Sequence, residues 1–559
     1  MISPDLLDKL NAEIENELFA ISNDIGANHA MKLIELTKCV DHCFVAVSYI
    51  MPKDSTDYQE WADLFQQFST GWYVALKMVL PENEGTISIM KVNSRPEQIS
   101  WANSIMTRSG DAGNIKKLLA LAKSSDFINT CLKEPNTVLF HFKGTDIGIE
   151  YLETQQQKWL AESILNQREP VDDFENVIMP QVKSGVSSPD GKTISYQPHT
   201  VIDSFFQAEG RFYGEALICF DSFIDQSLFN NIPFIQYKEV VTCLIGNAFR
   251  HLHYCLAFQD KTGYRVINPW NTYTQVVNVD EVREMVCRQT GLPEETVNSI
   301  LQTIILDRES LELTGFAPGS SPPPLIRLNN SKVVISMMGH LSNPLSYLFR
   351  ILVKKFNDDY SVAVNDREEI FKRELYDLFD KSLLSIPHNI AIRKGGKLVT
   401  DIDALIIDEA SGIAFLFQLK WMDDWGSDMS QRSSMSKNYR MSIEKWLNAV
   451  DKHIAEKGAA VFLRDAGVTK NGHKVTIVKI VLGRHFSLFS NLSLPEDSFY
   501  LNWATLVKIV SENPQCGISL KKLIDHLSKN KLAKNLKASP LPIKDVMLRL
   551  GKYIIKTKS

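Results

Sequence analysis

Long hydrophobic runs are absent from this sequence, and none approaches the roughly 20 residues that a membrane-spanning helix requires. The first residues, MISPDLLDKLNAEIENELF, contain neither the basic start nor the apolar stretch of a secretory signal. Cysteine is also scarce, with 8 residues scattered over a chain of 559. Scattered thiols fit a reducing compartment better than a disulfide framework. These absences together predict a cytoplasmic protein.

Metal-ligand clusters with zinc-like spacing are missing as well. Cys39 and Cys43 flank His42, but no second ligand pair follows at a suitable distance. The segment HLHYC carries two histidines and a cysteine inside VVTCLIGNAFRHLHYCLAF, which is mostly apolar. Both groups are interpreted as core residues rather than as metal ligands.

The sequence also lacks a complete phosphate-binding loop motif. SGVSSPDGKTISY contains Gly-Lys-Thr, but the motif requires a first glycine at position 186, where Val186 stands. Pro189-Asp190-Gly191 has the chemistry of a turn. The segment is therefore predicted to be a hairpin turn, and any motor or methyltransferase would have to lie on another chain.

The composition is that of an ordinary globular protein, with 44% hydrophobic and 23% charged residues and a net charge of −5. Apolar spacing and punctuation divide the chain into four predicted parts. Residues 1–174 are mainly helical, and residues 175–345 are mixed α+β with a proline-rich segment, APGSSPPPLIRL. Residues 346–505 form an α/β domain, and residues 506–559 form a basic helical tail.

Residues 279–305 have apolar spacing on both sides of Thr290-Gly291-Leu292-Pro293, which predicts two helices with a turn between them. A DNA-binding helix-turn-helix is one interpretation. Glu294 and Glu295 open the second helix, which carries no lysine or arginine, so a plain helical hairpin is the favoured interpretation.

Polar residues gather in the segment TDIDALIIDEASGIAFLFQLKW, residues 400–421, which is otherwise apolar. Its two β-like runs surround a turn, DEASG, and so predict a hairpin. A loop of four residues would set Asp403 opposite Gln418 and Asp401 opposite Lys420, on one face of the sheet. Such a group suits either a divalent cation beside a lysine or a structural acid–lysine pair.

The spacing Asp-x(14)-Gln-x-Lys on adjacent strands resembles the PD-(D/E)xK nuclease superfamily, which has the restriction-endonuclease-like fold. The helix DREEIFKRELYDLF, the strand PHNIAIRK, the hairpin, the helix SMSKNYRMSIEKWLNAVDKHIAEKG and the strand HKVTIVKIVLG follow the family's α-β-β-β-α-β order. The resemblance covers about residues 360–490. It implies an α/β C-terminal domain, a mixed sheet flanked by helices, behind a mainly helical, mixed α+β N-terminal half.

The resemblance also implies site residues. Asp403 and Gln418 would hold Mg²⁺ or Mn²⁺, and Lys420 would position the attacking water. Glutamine replaces the usual acid at position 418, as in the Mrr-type branch, and its neutral amide should bind a metal more weakly.

Some families add an acid from the first helix. On a helical wheel Glu374 falls on the apolar face, while Glu368 lies nearer its edge, so Glu374 is the predicted third ligand.

Nucleic acid is the expected partner. The tail, residues 528–559, has nine basic residues and one acid, which suits a phosphate backbone but also an ordinary solvated face. Trp421, Trp425 and Arg432 follow the active strand, where a loop could approach substrate. The residues do not separate DNA from RNA, and a homodimer or partner subunits would fit a defence system.

The sequence thus predicts a Mg²⁺-dependent DNA endonuclease, of the kind used as a restriction or phage-defence effector. Two alternatives stay open. One is a nuclease-fold protein that binds nucleic acid without cutting it, with Gln418 as its mark. The other is a scaffold protein whose polar cluster is structural.

Overall fold

The computed structural model describes residues 2–81, 93–124, 128–134, 136–142, 146–166, 174–218, 223–263, 265–314, 321–421, 429–466, 468, 475–487, 498–529 and 545–558. They form a mixed α/β fold that is mainly helical and contains several small sheets. Within these ranges, no helix is both long and apolar enough to cross a membrane.

Helices dominate the part of the chain before residue 364. They are α1 (Pro4–Ile25), α2 (His29–Val45), α3 (Tyr58–Val79), α4 (Pro96–Ser124), α5 (Asp146–Asn166), α6 (Met179–Gly185), α7 (Thr200–Ile218), α8 (Phe234–Thr262), α9 (Val279–Thr290), α10 (Glu294–Ile304), α11 (Arg308–Thr314), α12 (Met337–Leu341), α13 (Pro344–Lys355) and α14 (Asn357–Ala363). One hydrophobic core runs through this part from Ile21 to Ala363. Residues 1–174 and 175–345, predicted as separate domains, therefore share a core.

Short strands accompany these helices. They are β1 (Ile128–Glu134), β2 (Thr137–Phe142), β3 (Val186–Ser187), β4 (Ser195–Tyr196), β5 (Leu228–Phe229), β6 (Ile232–Pro233), β7 (Gln275–Asn278), β8 (Ile305–Leu306), β9 (Leu325–Arg327) and β10 (Lys332–Ile335). The last four form a sheet in the order β7-β10-β9-β8. Part of the proline-rich segment, residues 317–320, lies outside the described residues, and the rest leads into β9.

Close helix packing in this part depends on glycine. A Cβ placed on Gly71 of α3 would lie 2.2 Å from the carbonyl oxygen of Met106 in α4. A Cβ on Gly210 of α7 would lie 2.3 Å from the carbonyl oxygen of Thr242 in α8. Any larger residue at these two positions would push the helices apart.

The two helices predicted around Gly291 are α9 and α10. Gly291 ends α9 with a left-handed φ of 75°, and Pro293 precedes the first turn of α10. Val297 and Ile300 bury the inner face of α10 in the core. Glu294 of α10 forms an ion pair with Arg283 of α9, and its Oε1 lies 3.0 Å from the arginine Nε. This contact joins the two helices, as in a helical hairpin.

The C-terminal part is built on a five-stranded sheet in the order β11-β14-β15-β16-β17. Its strands are β11 (Leu384–Ile386), β14 (Ala404–Asp408), β15 (Ile413–Lys420), β16 (Thr476–Gly483) and β17 (Ser498–Asn502). The first three are antiparallel, and β15, β16 and β17 are parallel. A separate two-stranded ladder, β12 (Ile390–Lys394) with β13 (Lys397–Ile402), lies between β11 and β14 in the chain.

Helices cover both faces of this sheet. They are α15 (Arg367–Asp377), α16 (Met429–Lys457), α17 (Ala459–Asp465), α18 (Trp503–Glu512), α19 (Gln515–Ile518) and α20 (Leu520–Lys529). Phe415 and Phe417 of β15 pack on the side of α15, α18 and α20, while Ala414 and Leu416 pack on the side of α16. The strand alternates as expected for a sheet buried on two faces.

The tail predicted to be helical differs from that expectation. Its described residues are helical up to Lys529, residues 530–544 lie outside the described part of the chain, and residues 545–558 contain β18 (Met547–Leu550) and β19 (Tyr553–Lys558). β19 pairs in parallel with β2 of the N-terminal part, giving a sheet in the order β1-β2-β19-β18. Alternating buried residues of this hairpin, such as Leu550 and Ile555, pack against α1 and α4, and this burial favours strands over a helix.

Candidate active site

The β14–β15 hairpin has the register that the sequence predicts. Asp408 pairs with Ile413, and the ladder continues to Ala404 and Phe417. One position further, the backbone N–H of Asp403 donates to the carbonyl of Phe417 at 3.1 Å. The Gln418 side-chain amide donates to the Asp403 carboxylate just beyond this ladder, so the two side chains meet at the end of the sheet where β15 finishes.

Asp401 does not lie opposite Lys420, and that part of the predicted arrangement is wrong. The chain bends at Asp403, so Asp401 belongs to β13 and pairs with Ala391 of β12. Its carbonyl accepts a hydrogen bond of 2.8 Å from the indole nitrogen of Trp446 in α16. Two acids that are two residues apart thus belong to different sheets.

The Asp403 carboxylate is buried, with 3% of the residue exposed. Its Oδ2 accepts hydrogen bonds from the side-chain amide of Gln418 and, at 2.6 Å, from the backbone N–H of Leu419. Oδ1 has no partner among the described residues, although Oδ2 has two. The carboxylate is therefore held by one oxygen and leaves the other available to a ligand.

Burial raises the pKa of the Asp403 carboxyl to about 7. The N–H of Leu419 opposes this rise, while the charge of Glu368 adds to it. Lys420 lowers the same pKa and Asp401 raises it, which shows that all of these groups lie within electrostatic range of Asp403. Near neutral pH the carboxyl is thus poised between its charged and protonated forms.

Lys420 is the last residue of β15 and is partly exposed, in contrast to the buried residues before it. Its carbonyl accepts a hydrogen bond of 2.8 Å from the N–H of Arg484, so the end of β15 is fixed against the end of β16. Two positions earlier, Gln418 lies on the same side of the strand. The amide, the ammonium and the Asp403 carboxylate therefore meet at one edge of the sheet.

The two candidate acids of α15, Glu368 and Glu374, have different surroundings. Glu374 forms an ion pair with Arg484, whose side chain is 2% exposed, while that of Glu374 is 36% exposed. Glu368 is exposed, has no ion-pair partner among the described residues, and acts electrostatically on Asp403. The acid brought toward Asp403 is therefore Glu368, whereas Glu374, preferred from the helical wheel, is held by an arginine.

Arg484 was missed by sequence reasoning. Its guanidinium lies 4.7 Å from the ring centre of Trp421, 5.3 Å from that of Phe371 and 5.5 Å from that of Trp503. It follows the glycine that ends β16, and a basic residue directly after a buried parallel strand is a usable signal for a site at the sheet's carboxyl edge.

A second arginine, Arg367, also lies near the Trp421 ring. Its guanidinium is 5.4 Å from the centre of that ring and 4.4 Å from the ring centre of Phe223, which belongs to the N-terminal core. Trp425 lies outside the described residues, and Arg432 lies in a part of α16 whose side chains are not described.

The described residues contain no group of three or more histidine, cysteine, aspartate or glutamate side chains with the geometry of a metal site. Comparison of the chain with protein-family models, with curated proteins and with solved structures found no match.

Proposed function

We propose that the protein is a metal-dependent endonuclease of the restriction-endonuclease-like type, which hydrolyses phosphodiester bonds in DNA. The observation that carries this proposal is the meeting of Asp403, Gln418 and Lys420 at one end of the β14–β15 hairpin. The elements of the main sheet and its helices, α15, β11, β14, β15, α16 and β16, support it, because they follow the α-β-β-β-α-β order of the PD-(D/E)xK superfamily. The predicted strand PHNIAIRK is not one of them, since it forms β12 of the separate β12–β13 ladder, and α17 is additional. A restriction or phage-defence role follows by analogy of fold.

The donor set fits Mg²⁺ or Mn²⁺. Mg²⁺ needs only one or two protein carboxylates and completes its shell with water and phosphate oxygens. Asp403 Oδ1 would provide one ligand, the Gln418 amide oxygen a second and the Glu368 carboxylate a third, directly or through water. A bound divalent cation would supply a Lewis acid for the phosphate that is attacked.

The protein groups have separate roles around that phosphate. Deprotonated Asp403 provides the negative charge that attracts the cation, and the Leu419 N–H and the Gln418 amide hold its orientation. Lys420 orients the attacking water and offsets negative charge that develops on the phosphorus oxygens. Because the pKa of Asp403 is about 7, cleavage should increase as pH rises through neutrality.

Cleavage of supercoiled plasmid in Mg²⁺, with and without EDTA, tests the proposal. Lys420→Ala should reduce the rate on the order of 100-fold or more, the usual effect of removing one stabilising group from a reaction centre. Lys397→Ala, at an exposed lysine on the β12–β13 hairpin, is the matched control and should cut at the parental rate. Equal rates for Lys420→Ala and the parent protein would refute the mechanism.

One contact favours a second candidate function, a nuclease-fold protein that binds nucleic acid without cutting it. Gln418 donates its amide N–H to the carboxylate that would otherwise meet the metal. If the parent protein retains DNA but does not cut it at any pH from 6 to 9, and Gln418→Glu adds no activity, this candidate replaces the nuclease. If the protein neither cuts nor retains nucleic acid, both candidates fail and the scaffold alternative remains.

A further inference from the structure

A cavity of about 210 Å³ lies in the N-terminal part, away from the β14–β15 site. Its walls come from α2, Asn93, the turn after β3, α8, residues 271–277 that run into β7, and β10. A cavity of about 150 Å³ accommodates benzene, so this one has room for a single planar ring system, with further ligand groups at the mouth.

The polar floor of the cavity is organised by one ammonium. Lys38 Nζ lies 3.0 Å from Glu35 Oε1 and donates to Asn271 Oδ1 at 3.0 Å. Asn271 Oδ1 also accepts from the N–H of Ser94 at 3.0 Å and from its hydroxyl at 2.9 Å. These three donors fix the orientation of the Asn271 amide, because a flipped amide would turn its N–H₂ toward an ammonium.

Two atoms on this floor are left unpaired. Glu35 is 3% exposed, and its Oε2 is buried without a hydrogen-bond partner. Asn271 Nδ2 is buried and unpaired in the same way. Both side chains are hydrogen-bonded to Lys38, so the unpaired acceptor and the unpaired donor belong to one polar cluster at the cavity wall. A buried carboxylate oxygen without a donor is costly in a folded protein, so such a pair indicates that a ligand completes it.

The charges on the wall are unbalanced. Glu35 and Lys38 neutralise each other, while Lys192 and Lys332 line the cavity and have no ion-pair partner among the described residues. Lys192 is exposed and Lys332 is half-buried, which places both ammonium groups toward the mouth. The wall therefore carries two lysines that form no ion pair among the described residues, which suits a phosphate group.

His251 adds no charge to this wall. Its Nδ1 lies 3.0 Å from the Tyr196 hydroxyl, and its Nε2 lies 2.9 Å from the carbonyl of Thr272. Burial lowers the pKa of His251 to about 4, so the ring is neutral at physiological pH. With both nitrogens engaged, it is a wall residue and does not act as a metal ligand.

We propose that this cavity binds a nucleoside monophosphate or a larger nucleotide. The base enters between Ile34, Ile194 and Val277, and its hydrogen-bonding edge reaches Glu35 and Asn271, while the phosphate meets the two lysines at the mouth. All four common bases carry both a donor and an acceptor on one edge, which suits this polar wall. An amino acid zwitterion has no net negative charge to offer the two lysines.

The turn that carries Lys192 supports the same placement. Asp190 accepts from the N–H groups of Lys192 and Thr193, at 2.9 and 2.8 Å, and thereby fixes the turn predicted at Pro189-Asp190-Gly191. Gly-Lys-Thr is thus not a phosphate-binding loop, yet its lysine and threonine line the cavity.

Calorimetric titration of the full chain with AMP, GMP, CMP, UMP, the matching nucleosides and inorganic phosphate tests the proposal. EDTA is present and the Lys420→Ala background is used, so binding at the β14–β15 site is suppressed. At least one monophosphate should bind tenfold or more tightly than both its nucleoside and phosphate. Lys332→Ala and Lys192→Ala should each weaken that binding about tenfold, while Lys53→Ala, at an exposed lysine outside the cavity, leaves it unchanged.

Three results would overturn the proposal. They are no binding by any monophosphate, equal binding by phosphate alone, and unchanged affinity in both cavity variants. None of them depends on cleavage of DNA, so this test and that of the proposed nuclease succeed or fail separately.

Discussion

The Asp403 carboxyl is a proposed metal ligand, and its burial lowers the stability of the folded protein. A carboxyl with an ordinary pKa of 3.8 is held where its pKa is about 7, and burial is the main cause. The folded protein therefore keeps a proton on Asp403 over a pH range in which the unfolded chain has lost it. Stability should fall as pH rises from about 4 to about 7, and the full cost should remain above that range.

Asp403→Asn should consequently stabilise the protein at alkaline pH. The amide keeps an acceptor for the Leu419 N–H and removes the buried charge, so the free energy of unfolding at pH 8 should rise by about 2–4 kcal/mol, given about 1.4 kcal/mol per pKa unit. Denaturant unfolding at pH 8 and pH 5 measures this.

At pH 5 the parent carboxyl is already protonated, so the gain should shrink toward zero there. A gain of the same size at both pH values would show that the effect is not electrostatic. The variant should also lose Mg²⁺-dependent cleavage, and that loss in a more stable protein distinguishes a site residue from a structural one.

At the scale of elements, two of the four acids of α15, Glu368 and Glu374, have different partners. Glu374 lies against buried Arg484, and Glu368 acts on Asp403. The helix thus braces the end of β16 with one acid and faces the site with the other. They are six residues apart, and the rest of the helix face between them is occupied by Ile370 and Phe371.

Glu374→Gln and Glu368→Gln should therefore have opposite effects on stability and on the cleavage rate. Glu374→Gln removes the carboxylate from Arg484 and should lower the free energy of unfolding by about 1–2 kcal/mol. Glu368→Gln should leave stability unchanged and lower the cleavage rate about tenfold or more. Thermal melting and plasmid cleavage on the same samples give both readouts, and the reverse pattern would return the third-ligand role to Glu374.

The sequence predicts those elements that depend on residues close together in the chain. It does not predict those that depend on contacts between distant residues. The β14–β15 register follows from strand alternation and a short loop, so Asp403 and Gln418 could be matched from the sequence. Asp401 could not, because the bend that removes it reflects its pairing with β12. A wheel ranks Glu374 above Glu368 by apolar neighbours alone and contains no information on Arg484, which is 110 residues away.

The C-terminal hairpin shows a local signal that was available. Leu548, Leu550, Tyr553 and Ile555 alternate with exposed or half-buried residues around a turn at Gly551. That period of two predicts strands, although the partner strand β2 could not be inferred across the chain. The cavity could not be predicted for a similar reason, since its walls come from six separate segments of the chain.

At the scale of the whole molecule, several contacts join the N-terminal and C-terminal parts, among them the packing of Leu160 of α5 in the core of the five-stranded sheet. Arg367 lies between Phe223 of the N-terminal core and Trp421, the neighbour of Lys420. The β18–β19 hairpin adds its strands to β2 and covers α1 and α4. The end of β15 that carries Lys420 is therefore packed against the N-terminal core.

Leu550→Ala should destabilise the N-terminal part although residue 550 lies far along the chain. Leu550 is fully buried, and truncation of such a leucine costs about 2–5 kcal/mol. Hydrogen exchange of the β2 amides at Val138 and Phe140 should accelerate accordingly. Met547→Ala, at a residue 59% exposed on the same strand, is the control and should change exchange little. Equal protection in both variants would mean that β19 is not needed to hold β2.

The pairing of β2 with β19 also determines how long β2 lacks its partner strand while the chain is synthesised. β2 ends at Phe142 and β19 begins at Tyr553, so 411 residues separate the two strands. At about 5–20 residues per second, a ribosome needs roughly 20–80 s to make the second strand after the first. Throughout that time one edge of β2 has no neighbour, and such an edge is a template for wrong pairing. The nascent chain must therefore be protected at this edge until its own later strand arrives.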